Sequence, residues 1–175
     1  MILVDTNILS TFAKIDRLEL LFRVFNQKTL YISPNVFQEL KDARDKRYDF
    51  VELIFELLQS GKLKILPLEE DEYMLMLQLP KYFGKGELDS IAICTRRNYI
   101  LLSNEQKVIK FCEENEIDYF DLNGILKALW RFDIVSREDV VQIINEMEDK
   151  DNLKIVSREE IFRNKGEEEN YESYQ

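Results

Sequence analysis

The chain opens on a short apolar run, Ile2-Leu-Val4, that stops at Asp5 and turns polar before a pattern of helical period begins at Asn7. An apolar stretch this short and this abruptly ended reads as a buried strand, and it delivers a carboxylate to its own end. The alternation then repeats. Residues 7–15 and 18–25 carry apolar side chains three and four positions apart, as amphipathic helices do, and 29–32 is a second strand. Ser33-Pro34 opens another helix, because serine caps well and proline fits the first turn. A helix over 48–59 closes at Ser60-Gly61, a third strand covers 64–68, and a helix over 70–79 is stopped by Pro80. After the loop 80–86 come a helix over 87–97, a strand over 99–102, a helix over 104–115 and a fifth strand over 117–122. Strands separated by helices predict an α/β fold, a five-stranded and mostly parallel sheet with helices on both faces.

The remainder is helical, with helices expected over 124–132 and 137–148. Two similar segments, Ile134-Val-Ser-Arg-Glu-Asp139 and Ile155-Val-Ser-Arg-Glu-Glu160, read as two helix starts with capping-type Ser-x-x-acid spacing. Leu126, Leu129, Trp130 and Phe132 are expected to finish the core rather than form an interface. The pattern assigns 1–150 to one domain and 151–175 to a C-terminal extension, whose last stretch from 164 is acidic, short of aliphatics and expected to be mobile.

At 175 residues with 45% hydrophobic content, the chain is long and apolar enough for one domain with a sizeable core. No apolar run approaches the roughly 20 residues of a bilayer crossing, and the N-terminus lacks a basic region ahead of an apolar one, so a cytoplasmic protein is expected. Cys94 and Cys112 sit among apolar helical neighbours and read as reduced core residues. The formal charge of −10 argues against broad nucleic-acid binding, which depends on lysine and arginine displacing counterions. The absence of histidine decides more: it excludes Ser-His-Asp hydrolysis, histidine-based phosphodiester cleavage and histidine-containing zinc sites. Any hydrolytic chemistry must rest on carboxylates and a metal.

Three further acids occupy helical positions where an apolar residue would be expected. Glu39 shares a stripe with Val36, Leu40 and Ala43, and Glu105 makes the same kind of stripe with Val108, Ile109 and Cys112. Asp89 stands in the first turn of its helix beside Ala92 and Ile93. Two like charges ~4 Å apart repel by about 4 kcal/mol at an effective dielectric near 20, so acids converging at a sheet edge would partly protonate or bind a cation. Hard oxygen ligands select Mg²⁺ or Mn²⁺. Each acid also has an ordinary explanation. Asp5 caps a turn, Glu39 pairs with Arg44 or Lys41, and Ser103 with Gln106 forms a capping box that makes Glu105 a first-turn acid, as Glu87 and Asp89 are in theirs. Their joint placement carries the argument.

Four segments, Ile2-Leu-Val-Asp-Thr-Asn-Ile-Leu9, Ser33-Pro-Asn-Val-Phe-Gln-Glu-Leu40, Gly86-Glu-Leu-Asp-Ser-Ile-Ala92 and Leu101-Leu-Ser-Asn-Glu105, resemble in order the PIN-domain family, the metal-dependent ribonucleases that include VapC-type toxins of prokaryotic toxin–antitoxin pairs. The resemblance implies a three-layer α/β/α fold, with Asp5, Glu39 and Asp89 as metal-binding acids and Glu105 where the family commonly has aspartate. It implies further that Thr6, Asn7, Ser103 and Asn104 supply hydrogen bonds around the cluster and that Glu87 is an outer carboxylate. The implied cofactor is Mg²⁺ or Mn²⁺, the activity hydrolysis of RNA phosphodiester bonds, and the partners an RNA substrate, a small antitoxin and a second copy in a homodimer. Asn104-Glu105 departs from the usual Asn-Asp or Asp-Asp pair, and with the acidic balance it supports an alternative, a weakened module that binds RNA or protein without cutting. Lys41, Arg44, Lys81 and Lys85 are candidates for holding RNA, as are Lys46, Arg47, Arg96 and Arg97, with Tyr82 and Phe83 as stacking aromatics. A solvated helix face and a buried loop explain most of these singly.

Overall fold

A computed structural model describes residues 1–156 and 158–163. Its centre is a five-stranded sheet, β1 (Ile2–Val4), β2 (Leu30–Ile32), β3 (Leu63–Ile65), β4 (Ile100–Leu102) and β5 (Tyr119–Phe120). The strands lie in the order β3-β2-β1-β4-β5 and every pair is parallel, as expected of strands joined by helical crossovers. β1 runs down the middle, with Leu3 opposite Tyr31 on one side and Leu101 on the other. Because both faces of a parallel sheet are covered, β1 needs an unbroken apolar run, and all three of its residues are buried.

Successive side chains of β1 point to opposite faces and enter different cores. Ile2 and Val4 join Ile8, Phe12, Leu21, Ile125 and Ile144, contributed by α1 (Thr6–Lys14), α2 (Glu19–Val24), α8 (Leu122–Arg131) and α9 (Arg137–Asp151). α3 (Pro34–Asp45) and α4 (Phe50–Gln59) add Val36, Leu40 and Ile54 to the same core. Leu3 and Leu101 pack on the other face with Ile91, Cys94, Val108 and Cys112 of α6 (Lys85–Arg97) and α7 (Gln106–Glu114). Burying each such side chain is worth roughly 1.5–3 kcal/mol, which offsets the entropy of ordering the chain around the sheet. Both cysteines are buried and unbonded, and burial pushes the Cys112 thiol up to about 11.

The helix starts follow local capping chemistry. Ser33 accepts the Val36 N–H and Ser136 accepts the Asp139 N–H while Asp139 reaches back to Ser136, so the first of the two repeated segments begins a helix as expected. The second precedes α10 (Arg158–Phe162), but its Ser157 lies outside the described residues, as does the expected tail. Other boundaries move for identifiable reasons. β5 ends at Phe120, because Asp121 accepts the Gly124 N–H at 2.7 Å and starts α8 two residues ahead of Gly124. β3 ends at Ile65, two residues short of Pro67, which has no N–H for a ladder. α5 (Glu70–Met76) gives way to turns before Leu79. α4 closes at Ser60, and Gly61 follows with φ of 73°, a left-handed turn suited to glycine. Leu126 and Leu129 complete the core, whereas Phe132 is exposed. α10 packs on α8, where the Trp130 indole N–H donates to the Ile161 carbonyl at 2.9 Å. Among the described residues no helix is long and apolar enough to cross a membrane.

Candidate acidic site at the sheet switch point

The chain turns to opposite sides of the sheet after β1 and before β4, so the crevice beyond the carboxyl ends of these two neighbours is where a doubly wound sheet places its ligands. Asp5 leaves β1 at that end and Ser103-Asn104-Glu105 leaves β4. A pocket of about 220 Å³ opens there, lined by Asp5, Thr6, Asn7, Glu39, Gly84, Glu87 and Glu105. Four carboxylates from four parts of the chain therefore share one cleft.

Asp5 is the innermost, only 6% exposed. It caps α1 by accepting the Thr6 N–H at 2.8 Å, and it accepts Ser103 Oγ at 2.9 Å and Asn7 Nδ2 at 3.2 Å. The capping role and the cluster role are thus held by one side chain. Burial pushes its carboxyl up to about 6 against the pull of the Ser103 and Thr6 hydrogen bonds, with the charges of Glu39 and Glu87 adding to the rise. Glu39 projects from α3, where Val36 and Leu40 are buried, and its own carboxylate is exposed in the cleft, accepting a short bond from Thr6 Oγ1. The neighbour that allows this is Gly86: a Cβ there would stand 2.8 Å from Glu39 Oε1 and 3.2 Å from Val36 Cγ2, so a methyl group at this approach of α6 to α3 would move the Glu39 carboxylate from its position.

Glu105 sits just before α7 at its cap position and receives Asn7 Nδ2 at 3.4 Å. The expected Ser103–Gln106 capping box does not form, because the Ser103 hydroxyl is committed to Asp5 and to the Glu105 N–H at 3.3 Å. Asn104 is consumed by scaffolding: its N–H donates to Asn7 Oδ1 at 3.2 Å and its side chain accepts the Leu122 N–H at 3.4 Å.

Asp89 and Glu87 exchange the positions expected of them. Asp89 is fully buried and does not line the pocket; both of its oxygens accept Asn35 Nδ2 at 2.9 Å, and Oδ2 also accepts the Asn35 N–H at 2.9 Å. It joins Ser33 in satisfying the start of α3, with burial raising its carboxyl and the Asn35 and Ser33 bonds opposing that rise. Glu87, expected further out, lines the pocket. It accepts the Gly84 N–H at 2.7 Å and pairs with Lys107 Nζ at 2.9 Å. Lys107 gives no signal in the sequence, since a lysine after Gln106 on an amphipathic helix reads as solvated surface; its ammonium also reaches the Tyr82 carbonyl at 3.3 Å.

The expected RNA-holding cations divide. Arg44 turns away from Glu39 to make a two-pronged pair with Glu52 at 2.8 and 2.9 Å and to lie over Phe55, and Lys41 lies over Phe37. Arg97 is committed to the buried Glu72 at 2.5 and 2.8 Å, and Arg96 lies 3.8 Å from Asp71. Lys81, on the loop that supplies Gly84, and Lys85, the first residue of α6, stay exposed. Phe83 is buried against Phe111, whereas Tyr82 is 62% exposed.

Whether these residues suit a divalent metal is a question of donor chemistry and charge. The pocket offers oxygen donors, four of them carboxylates, and its innermost acid is destabilised by burial, all of which a hard cation would relieve. As they stand the acids are satisfied by protein donors, and among the described residues no three of them already stand around one point.

A parallel sheet in this order between two layers of helices, with acids gathered at its switch point, defines the class of domain. The family model described as PIN domain matches residues 1–161, and the chain belongs to that family. Thirteen chains of solved structures match. One of them, in the crystal structure of VapBC2 from Rickettsia felis bound to a DNA fragment from their promoter, aligns with a TM-score of 0.50 at 21% identity over 69% of this chain and 98% of that one. That likeness concerns the fold. No curated protein matches the chain.

Proposed function

We propose that this chain is a divalent-metal-dependent endoribonuclease and the toxin of a toxin–antitoxin pair. The observation that carries the reading is the convergence of Asp5, Glu39, Glu87 and Glu105 on one cleft at the carboxyl ends of β1 and β4 in a chain without histidine. Membership of the PIN-domain family and the fold shared with a chain of a VapBC complex support it.

Asp5, Glu39, Glu87 and Glu105 are the residues to hold Mg²⁺ or Mn²⁺, which would supply an activated water and offset the charge developing on the phosphate. Asp5 anchors the set from the buried end, oriented by Ser103 and the Thr6 N–H. Asp89 acts from behind: through Asn35 it fixes the first turn of α3 and hence the direction of Glu39. With no imidazole in the chain, the proton of an attacking water would have to be managed by a carboxylate or by the metal itself, and Glu105, exposed at the rim, is the carboxylate proposed where it does not bind the ion. Lys81, Tyr82 and Lys85, exposed in the segment that supplies Gly84 to the cleft, are the residues proposed to meet RNA, lysines attracting the phosphate backbone and tyrosine offering a face to an unpaired base. An antitoxin and a second copy of the chain are the partners this reading carries.

The test is cleavage of RNA with Mn²⁺ or Mg²⁺ by the wild type, Asp5→Asn and Asp89→Asn. Cleavage that both substitutions abolish supports the assignment, and undiminished cleavage by the variants removes these acids from the reaction. A non-cutting module is the second reading, favoured by the commitment of Asn104 to the scaffold and by acids that are all satisfied internally. Calorimetric titration with Mn²⁺ separates the two, since the module predicts no binding at millimolar ion.

A further inference from the structure

Among the described residues, only one of the hydrogen-bond donors that satisfy the four pocket acids carries a charge. Thr6 serves Glu39, Asn7 serves Glu105, and Asp5 takes a serine, an amide side chain and a backbone N–H. Glu87 alone of the four receives an ammonium, from Lys107 at 2.9 Å. That lysine is the second residue of α7, where the positive end of the helix dipole disfavours a cation. Its location therefore has to be compensated by the acids it faces, which are Glu87, Glu105 and Asp5.

The attachment is also easy to undo. The Lys107 side chain is 41% exposed, its bond to the Tyr82 carbonyl is the longer of its two, and four rotatable carbons let the ammonium swing into solvent. Glu87 would not be left bare, because Gly84 continues to donate to Oε2.

We propose that Lys107 is the resident cation of the acid pocket, neutralising Glu87 in the metal-free protein and competing with a divalent ion for that carboxylate. The inference rests on the metal-site reading above and adds a regulating residue to it. Lysine lets four acids share a cleft without a metal, and it sets the ion concentration at which the pocket fills. Departure of the ammonium frees the Glu87 carboxylate for the incoming ion and releases the hold on the Tyr82 backbone.

The experiment is calorimetric titration with MnCl₂, without RNA, of the wild type, Lys107→Met, Lys107→Arg, Glu87→Gln and the Lys107→Met/Glu87→Gln double variant. Removing the ammonium should tighten Mn²⁺ binding by roughly five-fold or more, the arginine variant should stay near the wild type, and the methionine effect should vanish in the Glu87→Gln background. Unchanged or weaker binding by Lys107→Met overturns the inference, as does a tightening that persists undiminished without Glu87, which would make the lysine a remote charge only. If none of the five proteins binds Mn²⁺, the metal-site reading falls with it. Binding by the wild type with no response to Lys107 removes this inference alone.

Discussion

Asp5 is asked to be a helix cap and a cluster acid together, and the two demands pull its proton in opposite directions. The cap hydrogen bonds favour the carboxylate, but burial beside Glu39 and Glu87 raises the carboxyl from 3.8 to about 6. Between those values the folded protein holds a proton that the unfolded chain has already lost, so this group's contribution to stability falls as pH rises through the window. Above pH 6 the metal-free fold bears the cost of the ionised group. Asp5→Asn should therefore raise the melting temperature at pH 7.5 in chelator, by roughly 2–4 °C for a net gain near 1 kcal/mol. Mn²⁺ should stabilise the wild type and not the variant, with the wild-type response weakening from pH 7 to pH 5; scanning calorimetry reads both. Asp5, Glu39 and Glu105 were legible in the sequence because each interrupts an apolar pattern. Asn35 and Lys107 were not, since a polar residue on a helix acquires its meaning only from the element folded against it.

At the scale of elements, the site depends on how closely α6 approaches α3. Gly86 is the point of approach, with Glu39 Oε1 and Val36 Cγ2 occupying the space a methyl group would need. Gly86→Ala should change stability by less than about 1 kcal/mol, because alanine suits a helix and the tip of Glu39 can swing aside. Cleavage should nevertheless fall by roughly ten- to a hundred-fold, since displaced catalytic groups are costly at ångström scale; steady-state rates beside a denaturant melt separate the two effects. The order of strands and helices followed directly from apolar periodicity, and the starts of α3 and α9 from their capping serines. Strand ends were less legible. Asp121 closes β5 by capping α8, and Glu87 lines the cleft while Asp89 is buried behind it, because two residues along a helix turn a side chain through about 200°. A run such as Glu87-Leu-Asp89 states which acids are present and leaves open which of them faces the cleft until the helix has been docked.

For the molecule as a whole, a charge of −10 repels RNA at long range, so binding must come from a local exception. Under the proposed function, Lys81 in the loop and Lys85 at the start of α6 are the cations to test, both exposed on either side of Gly84 of the cleft, whereas Arg44, Arg96 and Arg97 face acids elsewhere. Lys81→Glu with Lys85→Glu should weaken binding of a short single-stranded RNA in chelator and flatten its dependence on salt, by about one unit of slope for each phosphate that the protein no longer neutralises. An unaltered slope would place the RNA on another surface. The acidic balance was readable in advance, but the surviving cations were not, because arginines near acids in sequence and in space look alike until the pairs form.

The junction of α8 and α10 has a practical consequence. The chain's single tryptophan donates its indole proton to Ile161 and takes no part in lining the acid cleft. Its emission is thus a private gauge of whether α10 is seated: trimming the chain after residue 156 should shift the spectrum to the red by hydrating that ring, and saturating the protein with manganese should leave its wavelength where it was.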